Sequence, residues 1–130
     1  MTIRHINPDG LHRSPAFSQA VVVEQPAKTI YIGGQNGVGV DGKVVGPTAG
    51  EQAVRALRNL ETILQSEGAS LANIVHWTIA VVSAESLDAG VAAFQQVWDP
   101  ADPPPAITVH VVAGLAPGIL VEIDAVAVVA

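Results

Sequence analysis

The sequence predicts an α+β domain, a mixed β-sheet with two helices on one face, in the order β-β-α-β-α-β-β. Three observations predict it. Two segments carry apolar residues at helical spacing, β-branched runs flank them, and Gly, Pro and Asp-Gly signals punctuate the junctions. With 130 residues, 49% of them apolar, the chain fits a single domain spanning residues 1–130 that is able to bury a core.

Residues 1–16 contain Pro8-Asp9-Gly10 and Pro15, and read as a turn-rich arm. Phe17 to Glu24 is rich in valine and reads as a strand, and Thr29-Ile-Tyr-Ile-Gly33 as a second. Only Pro26-Ala-Lys28 breaks them, so a hairpin is expected. The glycine-rich stretch Gly33 to Pro47 holds Asp41-Gly42, a tight-turn pair because both residues tolerate positive φ.

Thr48-Ala-Gly-Glu51 has the spacing of a capping box, in which hydroxyl and carboxylate satisfy free donors at a helix start. Ala53, Leu57, Leu60 and Leu64 then form an apolar stripe, with Arg55, Arg58 and Glu61 largely on the other side. Gly68 suits the C-terminal cap. Ile74 to Val82 is a strand. A second helix starts at Ser83, with Leu87, Val91, Phe94 and Trp98 as its stripe, and the prolines of Asp99 to Pro105 end it. Ile107 to Val112 and Ile119 to Val129 are the last strands; the near-continuous apolar character of the final one predicts burial on both faces. The sheet face without helices is expected to expose valines and isoleucines unless a second copy covers it.

Charge and composition exclude several function classes. The net charge is -6 and the six Lys and Arg are scattered, which disfavours nucleic acid and anionic membranes as partners. Without cysteine there is no thiol nucleophile, disulfide framework or Cys-based metal site. The N-terminus has no apolar signal-peptide core, so a cytoplasmic location is the expectation. Gly37-x-Gly39-x-x-Gly42 matches a dinucleotide fingerprint in spelling only, because Lys43-Val-Val-Gly-Pro47 follows it where a helix is required. His76 and His110 lack further ligands at a short spacing, and no metal site is expected.

Three ordered stretches resemble the RidA (YjgF, L-PSP endoribonuclease-like) family. They are Ser14-Pro-Ala-Phe-Ser-Gln-Ala-Val21; Ile32-Gly-Gly-Gln35 with Asp41-Gly42 and the helix start at Gly46 to Gln52; and Pro105-Ala-Ile-Thr-Val109, Leu115 and Val121-Glu-Ile-Asp-Ala-Val-Ala127. Together they cover nearly the whole chain. The resemblance implies a chorismate-mutase-like fold, a homotrimer with three inter-subunit clefts, no cofactor, and deaminating hydrolysis of reactive enamines and imines.

By the same resemblance Glu122 is the water-holding catalytic carboxylate. Phe17, Gly33, Gly34, Gln35, Ile107, Thr108 and Val109 fall at substrate-binding positions. The family's carboxylate-binding arginine is replaced by Ile107, its tyrosine by Phe17 and its loop serine by Gly33. An arginine fork binds a carboxylate bidentately, and an isoleucine offers it nothing. The cleft is therefore expected to be apolar and poorly suited to 2-imino acids, with Arg13 the nearest cation in sequence able to compensate. A non-catalytic trimer holding a small metabolite in the same cleft is the alternative. An endoribonuclease or translation inhibitor fits the acidic balance least.

Overall fold

The computed structural model describes residues 1–130. Its elements are β1 (Thr2–Ile6), β2 (Ala20–Glu24), β3 (Lys28–Asn36), α1 (Ala49–Ser66), a 3-10 turn (Leu71–Asn73), β4 (Ile74–Val81), α2 (Ala84–Val97), β5 (Ala106–Val111) and β6 (Val121–Val129). The four-stranded sheet has the order β3-β6-β4-β5, and β1-β2 form a separate two-stranded sheet. β4 and β5 are parallel, joined through α2, and β6 runs antiparallel to both β3 and β4. The sheet is mixed and the order is the expected one, with β1 added at the start.

Four details differ from the sequence reading. The arm contains a strand, β1, which takes β2 as its antiparallel partner, Thr2 opposite Glu24 and Ile6 opposite Ala20. The expected hairpin between β2 and β3 is therefore not formed; β3 pairs with β6 instead. The β-branched Thr2, Ile3 and Ile6 carried that strand signal, masked by the nearby Pro8 and Gly10.

The last strand is buried on both faces only toward its end. Val121, Ile123, Ala125 and Ala127 are buried beneath the helices; on the other face Val128 is buried, Glu122 and Val126 are half-buried and Asp124 is exposed. Its apolar density reflects a central place in the sheet between β3 and β4. The helix-free face is mixed in character. Strand alternation puts His76, Thr78, Thr108, His110, Glu122 and Asp124 there beside Tyr31, Ala80, Ala106, Val126 and Val128.

α1 forms for the anticipated reasons. Thr48 Oγ1 accepts from the Glu51 amide at 3.2 Å, and Gly68 takes φ +70° while the Ala69 amide donates to Leu64 O at 2.9 Å. The Glu51 carboxylate lies against Gly46. The stripe Ala53, Ala56, Leu57, Leu60 and Leu64 is buried against Ile32, Trp77, Val121 and Ile123 in one core. Gln52 is the polar exception at 0% exposure. Its Nε2 donates to Gly46 O at 3.0 Å and Gly118 O at 2.9 Å, and its Oε1 accepts from the Leu120 amide at 2.8 Å. One buried amide thus ties the helix start to two loops, and β6 enters the sheet from the second.

The glycine stretch is a hairpin: Val38 and Val44 form an antiparallel bridge around Gly42, at φ +81°. No helix of the chain is long and apolar enough to cross a membrane.

Candidate functional site

The N-terminal segment reaches the sheet through Ser18. Its amide donates to Pro105 O at 3.1 Å and its Oγ to Pro104 O at 2.6 Å. These bonds hold Phe17 over the start of β5. Beneath it, β5 presents Ile107 and Val109 toward the helices, in register with Trp77 and Ile79 of β4. α2 supplies Leu87, Val91 and Phe94 from the other side. Together these groups line a cavity of about 210 Å³ that contains no charged side chain.

The cavity exists because α2 does not close fully on β5. Phe94 instead stacks on Trp98 at 5.4 Å between ring centroids, and both meet Trp77 edge-on at 5.5 Å. Val91 remains 46% exposed and Val109 41%, which leaves the cavity open on its outer side. A second, shallower pocket joins Phe17 and Ile107 to Thr108, Gln19 and His76. His76 Nε2 lies 3.3 Å from Thr108 Oγ1.

Glu122 occupies different ground. It is on the helix-free face of β6, in register with Asn36 of β3 and Ala80 of β4. Asn36 Nδ2 donates to Glu122 Oε1 at 3.3 Å. β3 is irregular between Ile32 and Gln35, and Gly33-Gly34 fill the irregularity. A Cβ on Gly34 would lie 2.7 Å from the Glu122 carboxyl carbon, so only glycine leaves room for that carboxylate. Gln35 turns back, its Nε2 donating to Gly33 O at 3.2 Å.

The anticipated residues therefore form two groups. Phe17, Ile107, Thr108 and Val109 gather around the β5 edge, and Gly33, Gly34, Gln35 and Glu122 around the β3 edge. These are the two opposite edges of the sheet. Ile107 and Glu122 also project from opposite faces, so one chain alone does not bring them into a common crevice. Arg13, the cation nearest in sequence, is turned to Asp9 at 3.5 Å.

Sequence reasoning passed over Asn36 and Ser18, which position Glu122 and Phe17. Asn36 ends the Gly-Gln stretch and Ser18 lies inside the N-terminal motif, but their bonds are long-range and leave no local pattern. His76 and His110 stand on the helix-free face of the adjacent strands β4 and β5, His76 opposite Ala106 and His110 opposite Ala80, and no cluster of three or more His, Asp or Glu residues suited to a metal ion is present. Burial lowers the pKa of His5, on β1, below its ordinary value.

Residues 10–129 match the family model described as Endoribonuclease L-PSP. The human 2-iminobutanoate/2-iminopropanoate deaminase is 33% identical over 115 residues, covering 86% of this chain and 79% of the human protein. The mouse protein of the same name is 35% identical over 115 residues, covering 86% and 80%. Among solved structures, the Rid-family protein YyfB of Yersinia pestis, described as of unknown function, superposes with a TM-score of 0.84. It is 33% identical, over 99% of this chain and 100% of that one. RidA from the Antarctic bacterium Psychrobacter sp. PAMC 21119 superposes with a TM-score of 0.72 at 25% identity, covering 97% and 99%. Family model, sequence relatives and fold agree, and the chain belongs to the RidA/YjgF (L-PSP endoribonuclease) family.

Proposed function

We propose that this protein is a Rid-type hydrolase of small enamines or imines that carry no carboxylate, acting in clefts between three copies of the chain. The observation that supports it most is the uncharged cavity beside Phe17, Ile107 and Val109. The relatives named for 2-iminobutanoate and 2-iminopropanoate act on acids; this site has an aliphatic side chain where the family resemblance puts the guanidinium. Removing one partner of a half-buried charge pair costs roughly 2–5 kcal/mol of binding. A neutral substrate loses nothing by that exchange and gains apolar burial.

In this reading, the β5 edge of one copy meets the β3 edge of the next. Three such contacts close a ring in which Phe17 and Ile107 of one copy face Glu122 of its neighbour. Glu122, held by Asn36 and given room by Gly34, orients a water against the imine carbon. As the water oxygen bonds to that carbon, the carboxylate takes its proton and returns it to the nitrogen. The same carboxylate then carries the carbinolamine's hydroxyl proton to the amine nitrogen; the C=O bond forms as the C–N bond breaks, and a carbonyl compound and ammonia leave. No cofactor is needed for this chemistry. The acidic chain makes the family's ribonuclease label the weakest match for its own surface.

The test compares hydrolysis of 2-iminobutanoate, generated in situ, with that of a neutral imine of the same size. The neutral substrate is expected to be accelerated more, and Ile107→Arg is expected to raise kcat/KM for the acid by about tenfold or more. Acceleration of the acid by the unaltered protein equal to that of the neutral imine contradicts the reading. Binding of neutral compounds without turnover, unchanged by Glu122→Gln, favours the purely ligand-binding alternative.

A further inference from the structure

The middle of α2 carries a glycine that packing within the chain does not explain. Gly90 has no positive φ, and a Cβ built on it meets nothing within 4 Å. Sterics and backbone alike would accept a side chain there. Glycine in a helix interior also destabilises relative to alanine, because it gives up the most chain freedom on folding. The other helical glycine, Gly50, lies in the first turn of α1 rather than in its interior. What a glycine provides at position 90 is room for the close approach of a group that the chain does not contain.

Gly90 stands on the wall of the apolar cavity beside Ile107, three residues after Leu87 and four before Phe94, on the face that α2 turns toward that cavity. It is the one lining residue without a side chain. The other lining side chains are hydrocarbon, apart from the Trp77 indole nitrogen, which is fully buried. An apolar cavity of about 150 Å³ stays dry and takes up benzene. At about 210 Å³, this cavity has room for a phenyl ring and the carbon that joins it to a polar group. Phe17, Trp77 and Phe94 line it, and the offset and edge-to-face contacts they can make favour a ring over an aliphatic chain. Its outer side, between the exposed Val91 and Val109, is open, so a ring can enter with the polar end left outside.

We infer that the cavity takes the phenyl group of a neutral aryl ketone or aryl imine, and that Gly90 sets the size of the group admitted. As an assignment of the substrate, this rests on the hydrolase reading; as an assignment of what the cavity binds, it stands on Gly90 and the cavity alone.

The probes are acetophenone and acetone, titrated into the full-length protein and followed by amide chemical shifts. Acetophenone is expected to bind more tightly than acetone by about tenfold or more, and to shift Gly90, Val91 and Val109. Gly90→Leu, whose side chain fills the cavity, is expected to weaken acetophenone by about tenfold or more while leaving acetone within about twofold and the melting temperature unchanged or raised. Val91→Phe, placed at the open side, is expected to weaken acetophenone likewise and serves if Gly90→Leu does not fold. Acetophenone bound no more tightly than acetone by the unaltered protein overturns the inference, as does an acetophenone affinity unchanged in Gly90→Leu with the fold intact by circular dichroism. The imines of the same two ketones, generated in situ, separate this inference from the hydrolase reading. Acetophenone binding that depends on Gly90, without acceleration of either hydrolysis, sinks the hydrolase reading and leaves the cavity assignment standing. Equal acceleration of both imines sinks the substrate assignment and leaves the hydrolase reading standing.

Discussion

Glycine 34 carries a consequence larger than its size. The nearest atoms to its missing Cβ belong to Glu122, at 2.7 Å, a separation that real side chains do not tolerate. Gly34→Ala must therefore push the carboxylate away from Asn36. An ångström of misplacement at a reacting group can cost a hundredfold in rate. Hydrolysis by Gly34→Ala is expected to fall by about 10- to 100-fold with the melting temperature little changed, measured by kcat and thermal denaturation. The two glycines before Gln35 were visible in the sequence, and so was Glu122. Their mutual contact was not, because it joins residues far apart in the chain and depends on an irregularity in β3 that no local pattern encodes. Ile107 was legible by position as an isoleucine where the resemblance expects arginine. That it faces Trp77 and the helices, while Glu122 faces the other way, follows only from the register.

The elements themselves were read more easily than their partners. α1 has strong local signals at both ends, Thr48 and Gly68, and a continuous stripe between them, so its limits were legible. α2 was legible from Ser83 and its stripe, yet three of the four stripe residues, Leu87, Val91 and Phe94, border the cavity. Strand pairing was harder. β2 and β3 look like a hairpin because three residues separate them, whereas each finds its partner elsewhere: β1 on one side, and β6 from the far end of the chain on the other. Gln52 shows how an element is tied to distant loops. Replacing it with alanine leaves two carbonyls and one amide, around a part-buried site, without their partner. Gln52→Ala is expected to destabilise the fold by about 2–4 kcal/mol, read from urea denaturation. A loss below about 0.5 kcal/mol would mean that water takes over its bonds.

For the whole molecule, the decisive feature is the separation of the two residue groups on opposite edges of one sheet. Both edges are exposed, with Tyr31 81% exposed on β3 and Val111 63% on β5. Unpaired edges invite contact with a further chain, and a repeated β5-to-β3 contact closes into a ring rather than a two-fold dimer. The helix-free face gives mixed support, since it sets His76, Thr78, Glu122 and Asp124 beside Tyr31, Val126 and Val128. Assembly is favoured by the unpaired edges and by a site that one chain leaves divided.

The absence of cysteine makes that geometry directly measurable. A chain carrying both Tyr31→Cys and Val111→Cys, treated with a short bis-maleimide, is expected to give a covalent ladder that ends at three chains, while either single variant gives no such ladder. Recovery of the double variant as uncrosslinked single chains, at a concentration where the protein is fully folded, would contradict the shared cleft and the hydrolase built on it.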